Sequence, residues 1–397
     1  MQFKTFDIIP HDTKFDFVGK RRIAVTLSLL ANLAVILWAA LHGLNFGVDF
    51  AGGTEMEVRF AQAVDAGALR RGVEELGFKD ASVQTYGPEA EHTYLIRVGR
   101  IALMSQEDVN RVVQAVSGRF PVQGAPHFNP DVGDKIDFQF QGTPPTPDQL
   151  RAAVTQAGVK VREVREEAGL TAGTKSFAVI TEGIQGKIGD ELRDRFAAAK
   201  PEVRRVEYVG PAVGRELRNQ GFKAILYAMA LIVVYVGLRF DFRFSPGVII
   251  ALIHDAVITL GYFAFSGREF NLTSVAVILT VVGYSVNDTV VVYDRIRENQ
   301  GRLKGKNLSD LVNLSINEVL GRTFLTSFAT ALSLIGLLVY GVGTIFDFSA
   351  AMLVGIVSGT YSTWFIAAPM TIWLEERAAR RKAAASWSQP AHARATR

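Results

Sequence analysis

No cysteine occurs in the 397 residues, which excludes disulfide staples, thiol nucleophiles and thiolate metal sites and suits an oxidising compartment. Histidine is nearly as scarce: the 6 are His11, His42, His92, His127, His254 and His392, scattered without the paired spacing of metal ligands. The sequence has no nucleophile elbow, and neither Lys187 nor Lys306 sits in the G-x-x-x-x-G-K-[ST] frame of a nucleotide-binding loop. These gaps point away from an enzyme, a metal or cofactor site and an ATP-driven motor. Charge is also thin, at 21% of residues against 49% hydrophobic, and the net +4 reads as a membrane-topology signal, not a nucleic-acid footprint.

Long apolar runs are what the chain has in excess. Six stand out, at residues 23–44, 222–239, 245–266, 272–293, 323–345 and 348–374. A bilayer core takes about 20 helical residues to cross, so six transmembrane helices are expected, with Lys223 snorkelling at the edge of the shorter second one. The first run is too long for a cleavable signal and no A-x-A site follows it, so it should remain as a span. Lys and Arg in short loops set the orientation. Lys14, Lys20, Arg21 and Arg22 precede span one, Arg239 and Arg243 lie between spans two and three, and Arg295, Arg297, Arg302, Lys304 and Lys306 lie between four and five. With Arg377, Arg380, Arg381 and Lys382 in the tail, the expected plan has both termini in the cytoplasm. It comprises a cytoplasmic N-terminus (1–22), span one (23–44), an outer head (45–219), spans two to six (220–374) and a cytoplasmic basic tail (375–397).

Within the head, Met56, Val58 and Phe60 alternate as a half-buried strand should, and Leu69, Val73 and Leu76 mark a helical face closed by Gly77. Strands are expected near 81–86 and 93–98, and a helix over 106–116. About 81 residues later the pattern returns, with Phe138 and Phe140, then Leu150, Val154 and Ala157 closed by Gly158, strands near 159–164 and 176–180, and a helix over 183–196. Two βαββα units of ferredoxin-like type are expected, at about 45–120 and 121–210, with residues 124–130 and 142–147 as turn-rich punctuation. Any two small α+β modules could align this way by chance. Such a surface suits an extended chain held by edge-strand pairing or in an apolar groove.

Polar residues inside the spans are the candidate functional groups. Asp288 sits well inside span four, where an ionised carboxylate costs about 2.5–3.5 kcal/mol on the lenient insertion scale, so it needs a partner, water or a proton. Carboxyl groups in low dielectric hold protons more readily, which is the chemistry of a proton carrier. Asn287 and Ser285 flank it, span three carries His254 and Asp255 at similar depth, and span five opens with Arg322 as a possible counter-charge. A hydrated relay across three helices is one reading. The other is that Asp288, Asn287, His254 and Asp255 are hydrogen-bonding glue and that Arg322 snorkels. Gly336, Gly341, Gly343, Gly355 and Gly359 allow close helix approach in spans five and six. Leu311, Val312, Ser315, Ile316, Val319 and Leu320 make an amphipathic helix in the loop between spans four and five, with Ser309 as its N-cap and Gly321 as its terminator, expected to lie on the cytoplasmic membrane face.

Four segments carry a family resemblance. Residues 46–54 (FGVDFAGGT), with Asp49, Gly52, Gly53 and Thr54, resemble the double-glycine motif that opens the head in the SecD/SecF family of protein-export membrane proteins. Residues 207–214 (EYVGPAVG) and 216–219 resemble the segment closing that head, residues 283–299 (GYSVNDTVVVYDRIREN) resemble the SecF branch in particular, and residues 321–327 (GRTFLTS) are similar to the family's start of span five. The resemblance implies a multi-pass α-helical membrane protein: a six-helix RND-type half-transporter bundle with a periplasmic α+β head, partnered by SecD. It also implies an inner-membrane location, association with the SecYEG translocon and YajC, preprotein substrates, and the proton as coupling ion with no other cofactor. Asp288 would be the proton-relay carboxylate and Arg322 its charged neighbour. The departure is the head, which has two modules where about one is typical. Two rival readings are an RND-type exporter of small molecules or lipids, which usually carries twelve spans, and a non-transporting scaffold.

Overall fold

In the computed structural model residues 13–387 are described, apart from 80, 88, 100–101, 129–133, 169–173, 241–244 and 304. His11, His392, Arg243, Lys304 and residues 129–130 of the turn-rich segment therefore lie outside the described residues. The chain divides into two units, one of residues up to Asn45 together with those from Gln220 onward, the other Phe46–Asn219.

Apolar composition and length dictate the first unit. Helix α1 (Arg21–His42) precedes the head elements, which are α2 (Val48–Ala51), β1 (Gly53–Arg59), α3 (Ala66–Glu75), β2 (Ser82–Thr85), β3 (Thr93–Val98), α4 (Gln106–Ser117), β4 (His127–Phe128), β5 (Lys135–Gln141), α5 (Pro147–Gln156), β6 (Val161–Ala168), β7 (Thr174–Thr181), α6 (Ile184–Arg195) and β8 (Glu202–Val209). After the head come α7 (Pro211–Arg239), α8 (Ser245–Ser266), α9 (Leu272–Arg302), α10 (Leu308–Tyr340), α11 (Thr344–Ser362), a π-helical turn (Thr363–Ala367) and α12 (Ala368–Trp387). Among the described residues 6 helical segments are long and apolar enough to cross a membrane: α1, α7, α8, α9, α10 and Thr344–Arg377. In this unit α8, α9 and α11 are the most enclosed, while α1, α7 and α10 expose leucine, isoleucine and phenylalanine along one side.

The amphipathic loop helix expected on the membrane face is instead the first part of α10, which runs unbroken from Leu308 through Gly321. Gly321 is not among the residues with positive φ, so it lacks the left-handed conformation of a helix terminator. The N-cap is Asn307, whose side chain accepts from the Ser309 backbone N–H at 3.3 Å, not Ser309 itself. The apolar stripe Leu311, Val312, Ile316 and Leu320 is buried inside the unit. Glu318 pairs there with Arg295 of α9 at 2.7 Å, and Asn313 and Asn317 receive the backbone N–H groups of Phe17 and Phe15, each at 2.9 Å.

The head has two four-stranded antiparallel sheets, ordered β2-β3-β1-β8 and β4-β5-β7-β6. The βαββα pattern repeats in sequence, each copy extended by one strand, but neither copy packs as a contiguous module. Helix α6, from the second copy, lays Ile184, Ile188 and Leu192 on the first sheet against Met56, Leu69, Val73 and Ile96. Helix α4, from the first copy, lays Val109, Val112 and Val116 on the second sheet against Ile136, Phe138, Leu150 and Phe177. The expected division at residue 120 is therefore corrected: each copy gives its last helix and strand to the other copy's sheet. An apolar helical face is complementary to either sheet, so local pattern cannot assign it.

Asp134 ties one crossing. Its carboxylate accepts the backbone N–H groups of Leu103 at 2.9 Å and Met104 at 2.8 Å, and its own carbonyl accepts from the Thr181 hydroxyl at 3.1 Å. Burial pushes the Asp134 carboxyl above its ordinary pKa despite those two donors.

Candidate functional site in the helical unit

Helix α9 begins at a capping box, Asn271 with Ser274, and buries Ile278, Val281, Ser285, Asp288, Thr289, Val292 and Ile296. These residues recur at three and four positions, so they share one stripe. Helix α11 meets that stripe with glycine. A Cβ built on Gly355 would overlap the Val281 side chain, and one on Gly359 would fall 2.9 Å from the Ser285 Cβ, so only glycine lets the two helices approach this closely. Lower down, the buried Tyr293 hydroxyl donates to the Ala367 carbonyl at 2.9 Å, at the end of the π-helical turn, and the room it needs is left by Gly247 on α8. Such turns recur at functional sites.

Where these three helices meet, Asp255 is fully buried and surrounded by donors. Oδ2 accepts from the Ser285 hydroxyl at 2.6 Å and the Ser362 hydroxyl at 2.7 Å. Oδ1 accepts from Ser358 at 2.7 Å and lies 2.9 Å from Nδ1 of His254. Three hydroxyls and one imidazole nitrogen thus occupy the two oxygens of Asp255. Asp288 lies along the α9 stripe from Ser285 in different company. It is 2% exposed, and its one hydrogen bond is a long one from the Ser327 hydroxyl of α10, at 3.5 Å. Ser327 also meets the Thr360 hydroxyl of α11 at 2.9 Å, and Thr289 meets Thr363 at 2.9 Å.

The structure thus brings together Asp288, Asp255, His254 and Ser285. It leaves two expected members outside. Asn287 is exposed on a different face of α9, because the step from residue 288 to 287 turns about 100° around a helix. Arg322 is exposed on α10 and forms no ion pair with Asp288. Ser358, Ser362, Thr363, Ser327 and Thr360 are members that sequence reasoning missed. Their signal was present: small and hydroxyl residues recur at 355, 358, 359, 362 and 363 along one stripe of span six. Among the described residues, no cluster of His, Asp and Glu could hold a metal ion.

In the head, the double-glycine motif is a backbone device. Gly52 (φ +77°) and Gly53 (φ +122°) take conformations closed to other residues, and a Cβ on Gly52 would fall 2.8 Å from the Pro211 Cα. Gly214 in turn packs against Gly52 and Phe50. Thr54 is fully buried and Asp49 partly so. Beside them Glu55 and Arg97 form a 3.8 Å pair, in which burial raises the glutamate and lowers the arginine from their ordinary pKa values.

An enclosed polar cluster in a bundle of membrane-length helices, joined to a two-sheet head, defines a multi-pass helical membrane protein with an α+β head domain. Residues 189–377 match the family described as "Protein export membrane protein SecD/SecF, C-terminal", and residues 38–64 match the SecD/SecF GG motif. Protein translocase subunit SecF of Koribacter versatilis is 35% identical over 382 residues, covering 92% of this chain and 93% of the relative. The subunit of the same name in Rickettsia conorii is 31% identical, covering 93% and 95%. Among solved structures, SecDF from Thermus thermophilus, described as a translocon-associated membrane protein, aligns with a TM-score of 0.65 at 29% identity. The match covers 92% of this chain but 39% of the longer SecDF chain. The chain belongs to the SecF family of protein translocase subunits.

Proposed function

We propose that this chain is the SecF half of a proton-driven SecDF assembly that promotes late-stage preprotein translocation through SecYEG, with YajC as a further associate. The observation that carries the reading is the state of Asp288: a carboxyl enclosed among apolar helices, held by one long hydrogen bond and by no ion pair. A group held so loosely can take up and release a proton without dismantling its surroundings. A proton crossing 100 mV delivers about 2.3 kcal/mol, enough to bias a conformational equilibrium. Exposed apolar sides on α1, α7 and α10 support a second helical half, and the similarity to a longer SecDF chain favours SecD as its source. The loop arginines and lysines support an inner-membrane orientation with both termini cytoplasmic and the head periplasmic. In the head, the edge strands β2, β8, β4 and β6 suit capture of an extended preprotein.

The test is completion of preprotein translocation in inner-membrane vesicles after ATP removal, with and without a proton gradient, at matched complex levels. Asp288→Asn should abolish the gradient-dependent fraction and spare the rest. Full gradient dependence in the variant would return Asp288 to a packing role.

A further inference from the structure

The His254 ring is 7% exposed, and the reading above gives it no task. Nδ1 lies 2.9 Å from Oδ1 of Asp255 and 3.4 Å from Oγ of Ser358. Ser358 commits its hydrogen to Asp255 at 2.7 Å, so both neighbours present acceptors to Nδ1. With its hydrogen on Nδ1, neutral His254 would satisfy both acceptors and keep a lone pair on Nε2. The ring also lines an open groove of about 620 Å³ with Leu27, Ser28, Ile258, Val357 and Tyr361. The groove is open and largely apolar, with Leu27 and Val357 exposed at its rim and Ser28, Ser358 and Tyr361 as its hydroxyl residues beside His254. Among the described residues, the titratable groups facing the ring are Asp255 on its own helix and Tyr361 on α11, whose ring centroid is 6.0 Å away. From α1 come Leu27 and Ser28, and from α9 comes Ser285 by way of Asp255.

We propose that His254 is a second proton-binding group of the bundle and that Asp255 is its positioning partner. This inference rests on the proton-driven reading above. A proton arriving through the groove bonds to the Nε2 lone pair. No bond to Asp255 breaks, and the pair changes from a net negative charge to a neutral imidazolium–carboxylate. In an apolar bundle that change alters how strongly Asp255 holds its hydroxyl donors. One of those donors leads toward Asp288: Ser285 sits on the same α9 stripe.

Asparagine at 254 separates a titrating role from a packing one, since its amide N–H can replace Nδ1–H toward Asp255 and does not titrate. Full-length protein with labelled histidine, reconstituted in lipid, is followed by nitrogen NMR, and His254→Asn assigns the signal by removing it. The expected signal is an Nδ1–H neutral imidazole that converts to imidazolium between about pH 5 and 8. An Nε2–H signal, or one that does not titrate, overturns the proposal. In the vesicle assay His254→Asn should assemble normally and reduce the gradient-dependent rate at least tenfold, since positioned proton-transfer groups contribute about 10²–10⁴-fold. A rate and pH profile equal to wild type would also overturn it. Because Asp288→Asn is measured alongside, failure of the transport reading is seen separately, as full gradient dependence in that variant.

Discussion

Asp255 and Asp288 are two buried carboxylates within one polar cluster, and they are held in opposite ways. Asp255 has three hydroxyls and a histidine on its two oxygens, drawn from α8, α9 and α11. Asp288 has one long contact, to Ser327. A carboxyl whose two oxygens are fully engaged fastens helices together, while a sparsely bonded one can exchange a proton with few contacts to break. An acidic residue in a membrane span therefore does not announce its role by type; the number of donors around it does.

The comparison is broken most severely by Asp255→Leu. It leaves four donors facing an apolar side chain, and removing one partner of a buried pair costs about 3–5 kcal/mol. The expected result is loss of the assembled complex in detergent thermal-melting assays, whereas Asp288→Asn should assemble normally. Next in size is Gly359→Val, which drives a Cβ against Ser285 and separates α9 from α11. Overpacking of this kind costs about 1–3 kcal/mol and should lower the melting temperature along with transport. Ser285→Ala removes one donor from Asp255 but leaves Ser362 on the same oxygen. Loss of that hydrogen bond should cost about 1.5–3 kcal/mol at most, read as a smaller shift in the same melt. The least effect on stability belongs to Ser327→Ala, within about 0.5 kcal/mol, since its bond to Asp288 is long and its hydroxyl is shared with Thr360. An equal loss for Ser285→Ala and Ser327→Ala would erase the distinction between the two sites.

The six spans were legible because membrane helices have a length and composition that nothing else in the chain imitates. Along α10 the reading failed at one residue: Gly321 looked like a terminator, but the buried stripe from Leu311 to Leu320 carries the helix on. In the head, periods of two and of three to four gave the elements but not their partners. Val109, Val112 and Val116 make the same apolar face whichever sheet receives them, and only the three-dimensional fold reveals the exchange of α4 and α6. Asp288 was singled out by its cost in an apolar helix. The engagement of Asp255 is not legible in the sequence, because its partners Ser285, Ser358 and Ser362 are distant along the chain and ordinary in type. Asn287 and Arg322 were drawn in by nearness along the chain and in the expected bundle, which does not fix the direction of a side chain.

At issue is which of the two buried carboxyls exchanges a proton, and the geometry assigns that to Asp288. The most direct measurement is infrared difference spectroscopy of the lipid-reconstituted full chain during a pH change, reading the protonated-carboxyl stretching band in wild type, Asp288→Asn and Asp255→Asn. The account predicts a pH-dependent band in wild type that vanishes in Asp288→Asn and persists in Asp255→Asn. A band that survives Asp288→Asn and disappears with Asp255→Asn would contradict it and make the saturated carboxylate the carrier.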